Sequence, residues 1–188
     1  MIGVRHIDHV AIAVPDLAAA WRLFGETLGG EFIAGGDDTE IGIRVLQLKF
    51  PPGIKIELLE PLDGTSYLQG FLDEMGPGFH HLTIMVDDVV AADEELRSAG
   101  WETTDLDLHD PRWREVYLRP RSTFGTLVQL TDSREDWHTP HTNITPEDVF
   151  AGRVLWVGTE PPRLRMPDDP PAPDRSEAAG TAKRFGRD

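Results

Sequence analysis

The sequence predicts an α+β protein built from two tandem β-α-β-β-β modules. The main reason is an internal repeat: residues 7–14 return as residues 79–86, and residues 55–58 return as 127–130. Both pairs are offset by 72 residues (79 − 7 and 127 − 55), and a fixed offset indicates a duplicated unit. Runs rich in β-branched residues and runs with helical spacing follow one another in the same order in both halves, which predicts the same elements twice.

The first module is predicted to span residues 1–62. Its first strand, residues 7–14, is closed by a proline, and Asp16 is placed to cap a helix over residues 17–28. Apolar residues recur at helical spacing within that helix, and Gly29 and Gly30 end it. Three further strands are predicted over residues 31–34, 41–50 and 54–59.

Residues 63–78 are predicted to be a linker with a short helix, and residues 79–132 form the second module. The predicted strand at 79–86 is followed by Asp88, the expected cap of a helix over residues 89–99. Later strands are predicted over 101–105, 115–118 and 126–131. We expect residues 133–159, which contain several large aromatics, to pack on the domain or on a dimer partner. Residues 160–188 are rich in Pro, Asp, Arg and Ala, which predicts a disordered tail.

Composition excludes several classes of function. The formal net charge is −15 and no basic stripe is present, which argues against nucleic-acid and anionic-membrane partners. The chain has no cysteine, so disulfides and thiolate metal sites are excluded. No apolar run approaches the roughly 20 residues that a bilayer span requires, and the first residues lack a signal core. We therefore expect a cytoplasmic protein that binds a small molecule.

Four polar residues repeat in register within apolar strands. His9 corresponds to His81, and Glu57 corresponds to Gln129, each at the 72-residue offset. A single His or Glu on a strand is more often a hydrogen-bonded structural residue than a ligand. Two symmetric pairs favour a divalent-metal site instead, because imidazole nitrogens with carboxylate and amide oxygens are suitable ligands for such ions. Burying Glu57 among apolar neighbours also costs several kcal/mol unless a cation compensates its charge.

These segments resemble the vicinal oxygen chelate (glyoxalase/bleomycin resistance/dioxygenase) superfamily, and most of all methylmalonyl-CoA epimerases. The resemblance covers residues 5–132 and rests on seven short segments: IDHVAIAVPDL at 7–17, IELLEPL at 56–62, FL at 71–72, HHL at 80–82, VDDV at 86–89, YLRPRS at 117–122 and GTLVQL at 125–130. It implies a glyoxalase-like fold, in which the two modules form a curved, cup-like mixed sheet, and a protein that pairs as a homodimer.

Carried over position by position, the resemblance implies metal ligands at His9, Glu57, His81 and Gln129. The ion could be cobalt, manganese, nickel, zinc or iron. Position 129 is usually Glu in these enzymes, and a further proton-transferring Glu of some epimerases would fall near Val45. A carboxamide cannot accept a proton at neutral pH, so Glu57 is the expected catalytic base as well as a ligand.

The resemblance also implies that Arg119 and Arg121 contact the substrate, plausibly an acyl-CoA. The alternative is that both are solvated loop cations that do not contact the substrate. The expected function is therefore a metal-dependent isomerase or epimerase. Two alternatives remain open: a glyoxalase I-like lyase, and a non-catalytic ligand-binding or resistance protein of the same fold.

Overall fold

A computed structural model describes residues 1–173 and shows that both modules contribute to one mixed sheet. The first module consists of β1 (Val4–Ala13), α1 (Leu17–Trp21), a π-helical continuation (Arg22–Thr27), β2 (Glu31–Asp38), β3 (Ile43–Phe50) and β4 (Ile54–Pro61). After α2 (Tyr67–Met75), the second module consists of β5 (Gly78–Val86), α3 (Val89–Ser98), β6 (Thr103–Asp107), β7 (Arg114–Leu118), a 3-10 turn (Pro120–Ser122) and β8 (Leu127–Asp132). The chain continues through α4 (Pro146–Phe150), β9 (Val154–Leu155) and β10 (Arg163–Leu164).

The sheet is organised about its two central strands, which are the first strands of the two modules. Its order is β10-β9-β2-β3-β4-β1-β5-β8-β7-β6. β1 pairs in parallel with β4, β5 pairs in parallel with β8, and β1 and β5 are antiparallel to each other. The two halves are therefore related by an internal pseudo-twofold axis, and the predicted α+β fold of duplicated modules is confirmed. Within the described part of the chain, no helix combines the length and apolar character needed to cross a bilayer.

Helix starts follow the sequence closely, several strand boundaries shift by a few residues, and two elements differ more clearly from the prediction. Asp16 accepts a hydrogen bond from the Ala19 amide at 2.9 Å, and Asp88 caps α3 in the same way. The first helix changes to π-helical winding at residue 22. β2 continues to residue 38 through a glycine pair that was expected in a loop. Glycine is required at position 36, since a Cβ there would lie 2.9 Å from Trp156 Cβ.

The buried apolar residues form separate clusters in the two modules. One contains Leu17, Leu46 and Leu58 from the first module, and residues of the C-terminal extension complete it: Ile144, Val149 and Val154. The second module has its own cluster of buried residues around α3: Val86, Val89, Ala92, Val116, Leu118 and Leu130. The extension therefore belongs to the first module's core, and its fully buried Val149 shows how closely it packs.

The described part of the predicted disordered tail has a defined structure. Arg163 and Leu164 pair with β9, and the Arg165 guanidinium lies 2.7 Å from the buried Asp37 carboxylate. Composition predicts disorder here because large apolar residues are scarce, but ion pairs and strand addition fix the chain. The structure thus differs from the prediction over residues 160–173, and residues 174–188 lie outside the described part.

Candidate active site

A cavity of about 530 Å³ opens on the face of the sheet that carries the predicted ligands, and both modules line it. We call it the cup. Its lining includes His9, Gln47, Lys55, Glu57 and Tyr67 from the first module and linker, and His81, Trp113, Glu115, Tyr117 and Gln129 from the second. The site predicted from the repeat therefore lies where the two modules meet.

Three of the four predicted ligands converge in the cup. His9 Nε2 lies 3.2 Å from His81 Nε2 and 3.4 Å from Glu57 Oε2, and the last two atoms are 3.8 Å apart. Strand register explains the convergence, because Glu57 and His81 both lie directly opposite Ala11, on either side of β1. The short side chain of Ala11 leaves the space that the larger groups use.

These three side chains fit a divalent ion. Neighbouring ligands around an ion with bonds of about 2.1 Å are about 3.0 to 3.5 Å apart, and the observed separations of 3.2, 3.4 and 3.8 Å come close to this. Two imidazole nitrogens and a carboxylate oxygen suit cobalt, manganese, nickel, zinc and iron alike. The three residues are thus candidate metal ligands, and the donor set does not distinguish among these ions.

The buried carboxylate of Asp8 fixes the orientation of the His9 ring. Asp8 Oδ2 lies 2.7 Å from His9 Nδ1 and 2.9 Å from Lys55 Nζ, and both Asp8 and Lys55 are 1% exposed. Burial opposes ionisation of Asp8, but the His9 hydrogen bond and the Lys55 charge hold its pKa well below the usual range. Because Nδ1 is held in this way, Nε2 of His9 faces the cup, which is the orientation that a metal-ligating histidine requires.

The ligand cluster carries a proton in the absence of an ion. Burial alone would lower the pKa of His9, but the charges of Glu57 and Asp8 raise it to about 9. Burial would likewise raise the pKa of Glu57, yet His9 lowers it to about 2. Burial lowers the pKa of His81 to about 3. At neutral pH the cluster is therefore a His9 cation, a Glu57 anion and a neutral His81.

Gln129 lies beside this cluster and contacts it through a hydroxyl group. Thr83, its neighbour across β5 and β8, donates a hydrogen bond of 2.5 Å to Gln129 Oε1, and the Thr83 hydroxyl is 3.0 Å from His9 Nε2. The Gln129 amide nitrogen donates to Glu115 and to the Tyr117 hydroxyl. The predicted fourth ligand thus reaches the cup, and its role as a ligand stays a prediction.

The two predicted substrate-binding arginines lie elsewhere. Arg119 is exposed, donates to the Thr104 hydroxyl at 3.1 Å and lies 3.7 Å from Asp105. Arg121 pairs with Glu102 on the surface. Neither is among the residues that line the cup, and their contact with substrate stays a prediction.

The lining residue that sequence reasoning missed is Glu115. It lies on β7 and accepts hydrogen bonds from Trp113 Nε1 at 2.8 Å and from the Tyr117 hydroxyl at 3.2 Å. Burial, and then the charge of Glu115, raises the pKa of Tyr117, so its hydroxyl stays protonated and remains a donor. The sequence signal was the alternation of Trp113, Glu115 and Tyr117 on one face of a strand.

Comparisons with known proteins point in one direction. The family described as Glyoxalase/Bleomycin resistance protein/Dioxygenase superfamily matches residues 8–117. The ethylmalonyl-CoA/methylmalonyl-CoA epimerase of Cereibacter sphaeroides is 38% identical over 69% of this chain and 98% of that protein. Among solved structures, the methylmalonyl-CoA epimerase of Mycobacterium tuberculosis has a TM-score of 0.63 and 31% identity, covering 70% of this chain and 90% of that one. A Streptomyces coelicolor methylmalonyl-CoA epimerase variant in complex with 2-nitronate-propionyl-CoA has a TM-score of 0.62 and 28% identity, covering 71% and 100%.

Proposed function

This chain belongs to the glyoxalase/bleomycin resistance/dioxygenase superfamily, and we propose that it is a divalent-metal-dependent epimerase that moves a proton at the carbon next to an acyl-CoA carbonyl. The observation that carries the proposal is the convergence of His9, Glu57 and His81 within 3.8 Å of one another inside the cup. The substrate class rests on the similarity to acyl-CoA epimerases from several organisms.

His9, His81 and Glu57 would hold the ion, and the Gln129 amide oxygen would complete the set. Bound there, a divalent ion polarises the carbonyl oxygen and stabilises the negative charge that proton removal creates. Asp8 keeps Nε2 of His9 directed at the cup through its bond to Nδ1. Thr83 holds the Gln129 oxygen close to the same nitrogen, at 2.5 Å and 3.0 Å.

Glu57 is the group that we assign to proton removal. Burial would raise its pKa, but the neighbouring His9 holds it below the usual range, so the carboxylate is ionised at neutral pH, which is the form that a base requires. Gln47 donates a hydrogen bond of 2.8 Å to Glu57 Oε1 and fixes the plane of the carboxylate. Oε2 faces the histidines, so the same side chain reaches the region where the polarised carbonyl and its α-carbon would lie.

The alternatives from the sequence are less well supported. The similar proteins described above are named as epimerases, not as lyases or resistance proteins. A purely ligand-binding protein also has no need of two buried histidines whose nitrogens face a carboxylate at 3.4 and 3.8 Å. Pairing of two chains as a homodimer stays a prediction.

The test combines elemental analysis with isotope exchange. Protein purified without added metal should contain, or take up, about one divalent ion per chain. With that ion it should catalyse exchange of the α-proton of methylmalonyl-CoA or ethylmalonyl-CoA in D₂O, followed by NMR, and interconvert their epimers. Glu57→Gln keeps the shape of the side chain and should weaken ion binding and slow exchange at least about a hundredfold.

Glu26→Gln is the matched control, since Glu26 is exposed and lies outside the cup lining. It should leave both ion binding and exchange unchanged. Absence of ion uptake together with absence of exchange on both acyl-CoA substrates would refute the proposal.

A further inference from the structure

We propose that His6, Asp8 and His138 form a second divalent-metal site, which ties the C-terminal extension to the first strand of the sheet. One nitrogen from each histidine and one carboxylate oxygen of Asp8 all lie within 4.8 Å of one another. None of the three residues lines the cup. The site therefore goes beyond the proposed function, because its ion would take no part in the reaction there.

The observation that carries the inference is a buried oxygen of Asp8 that accepts no hydrogen bond. Asp8 is 1% exposed, and its Oδ2 contacts His9 Nδ1 at 2.7 Å and Lys55 Nζ at 2.9 Å. Its other oxygen, Oδ1, is buried and has no hydrogen-bond partner among the described residues. A buried carboxylate oxygen without a partner is unfavourable, and a cation bound to Oδ1 would satisfy it.

The extension brings an imidazole to this oxygen. His138 Nε2 lies 3.5 Å from Asp8 Oδ1, and two ligands of one ion with bonds of about 2.1 Å are about 3.0 to 3.5 Å apart. The backbone that carries the ring is anchored on both sides. Lys55 donates a hydrogen bond of 3.3 Å to Trp137 O, and the His138 amide donates one of 2.8 Å to Asp136. The ring is therefore presented to Asp8 by contacts that do not involve its own nitrogens.

The second histidine comes from β1 itself. His6 precedes Asp8 by two residues, and its ring centroid lies 6.3 Å from that of His138. His6 is exposed, so a rotation of its side chain can bring a nitrogen from within 4.8 Å to bonding distance of a shared ion. Water would complete the coordination on the exposed side.

The duplicated fold does not require this cluster. At the 72-residue offset, the counterpart of His6 is Gly78. The counterpart of Asp8 is His80, and His138 lies beyond the second module. The three side chains therefore come together only once, at the point where the extension crosses β1.

The donor set and its surroundings define the ion and its relative affinity. Two imidazole nitrogens with one carboxylate oxygen suit zinc, cobalt, nickel or copper, whereas magnesium and calcium prefer oxygen ligands. The Lys55 charge, 2.9 Å from the other oxygen of Asp8, opposes a second cation at this carboxylate. Glu57 in the cup forms no salt bridge with a lysine or arginine among the described residues. We therefore expect the cup to fill first and this site to bind a second ion more weakly.

Calorimetric titration of the metal-free, full-length protein with zinc tests the site. Wild type should show two binding events of different affinity. His138→Ala and His6→Ala should each lower the affinity of the weaker event at least about tenfold, since even changes behind a ligand lower affinity by about that factor. Glu57→Gln should weaken only the stronger event. His141→Ala is the matched control, because His141 lies in the same extension and belongs to neither group of candidate ligands; it should keep both events.

Magnesium in place of zinc should not produce the weaker event. Circular dichroism with chelator present checks that each variant is folded, and the exposed position of His6 keeps the test valid if His138→Ala is not. A weaker event within about threefold of wild type in a folded His138→Ala or His6→Ala variant would overturn the assignment. An equal loss in His141→Ala would overturn it too, since that result indicates adventitious binding at the surface.

Failure of the proposed function gives a different result. If the cup binds no ion, wild type should show a single event that responds to His138→Ala and not to Glu57→Gln. A single event that responds only to Glu57→Gln would support the ion in the cup and overturn the second site.

Discussion

The buried Asp8–Lys55 pair allows a quantitative test of how the site is supported. Both side chains are 1% exposed and their charged atoms are 2.9 Å apart. In the Asp8→Asn variant, the Lys55 ammonium loses Asp8, its only salt-bridge partner among the described residues. It keeps a hydrogen bond to the backbone, to Trp137 O at 3.3 Å. Leaving one member of a buried pair unpaired costs about 3 to 5 kcal/mol.

Unfolding of the metal-free protein by urea should show this loss as a lower free energy of unfolding, and thermal unfolding should show it as a lower melting temperature. For a chain of this size each kcal/mol shifts the melting temperature by about 2 to 4 °C, so the variant should melt about 6 to 20 °C lower. Chelator must be present in every sample, because a bound ion would stabilise wild type and variant by different amounts. His9 would also lose its anchor, and outer-shell changes of this kind lower metal affinity by about 10- to 100-fold.

The double variant Asp8→Asn/Lys55→Met isolates the pair. Removing both charges replaces a buried ion pair by neutral groups, which is often close to neutral for stability, so it should recover most of the loss. Glu102→Gln, which breaks the exposed pair with Arg121, should cost no more than about 1 kcal/mol. A loss below about 1 kcal/mol in Asp8→Asn would refute the reasoning, because it would mean that Lys55 is solvated and not buried.

Three further changes probe the proton count, the ligand set and the C-terminal extension. Since the pKa of His9 is raised to about 9, the metal-free protein holds a proton on His9 at neutral pH, and an ion that binds Nε2 must displace it. Calorimetry in buffers of different ionisation enthalpy should show release of about one proton per ion, with apparent affinity rising about tenfold per pH unit between about pH 6 and 8; binding without proton release would contradict this. The exchange variant Glu57→Gln/Gln129→Glu keeps the inventory of donors and should bind the ion within about tenfold of wild type, whereas affinity as low as that of Glu57→Gln alone would show that the two positions are not equivalent. Ile144→Ala should lower the free energy of unfolding in urea by about 2 to 5 kcal/mol, because this extension residue is 3% exposed in the first module's core; a loss below about 1 kcal/mol would show that the extension is dispensable.

The candidate ligand cluster could be predicted from the sequence because duplication repeats the same strand positions. His9 and His81 are separated by the offset of the repeat, and period-two alternation assigns them to one face of their strands. Residues that pair with the same position of an intervening strand are then close together, as Glu57 and His81 are on either side of Ala11 of β1. Beyond the module plan, this part of the site requires only that the two modules pair through their first strands.

Glu115 could not be found in the same way, for two physical reasons. Its counterpart is hydrophobic, so no repeated polar pair marks the position. In addition, the offset between β3 and β7 is 70 residues (115 − 45) and not 72, since the segments before these two strands differ in length. A repeat search at an offset of 72 residues therefore aligns Glu115 with Ile43. The glycine pair of β2 was missed for another reason: Gly36 lies against Trp156, more than a hundred residues away, and no local pattern marks that contact.

The two departures from the epimerase pattern are related by the symmetry of the fold. The resemblance implies carboxylates at position 129 and near position 45, where this chain has Gln129 and Val45. The structure has carboxylates at Glu57 and Glu115, which are the pseudo-twofold counterparts of those two positions. Because both modules use the same strand order and register, exchanging groups between them leaves the number and kind of donors in the cup unchanged. The absence of a carboxylate at position 129 is therefore no argument against the proposed proton transfer, since Glu57 supplies a carboxylate at the symmetry-related position of the same site.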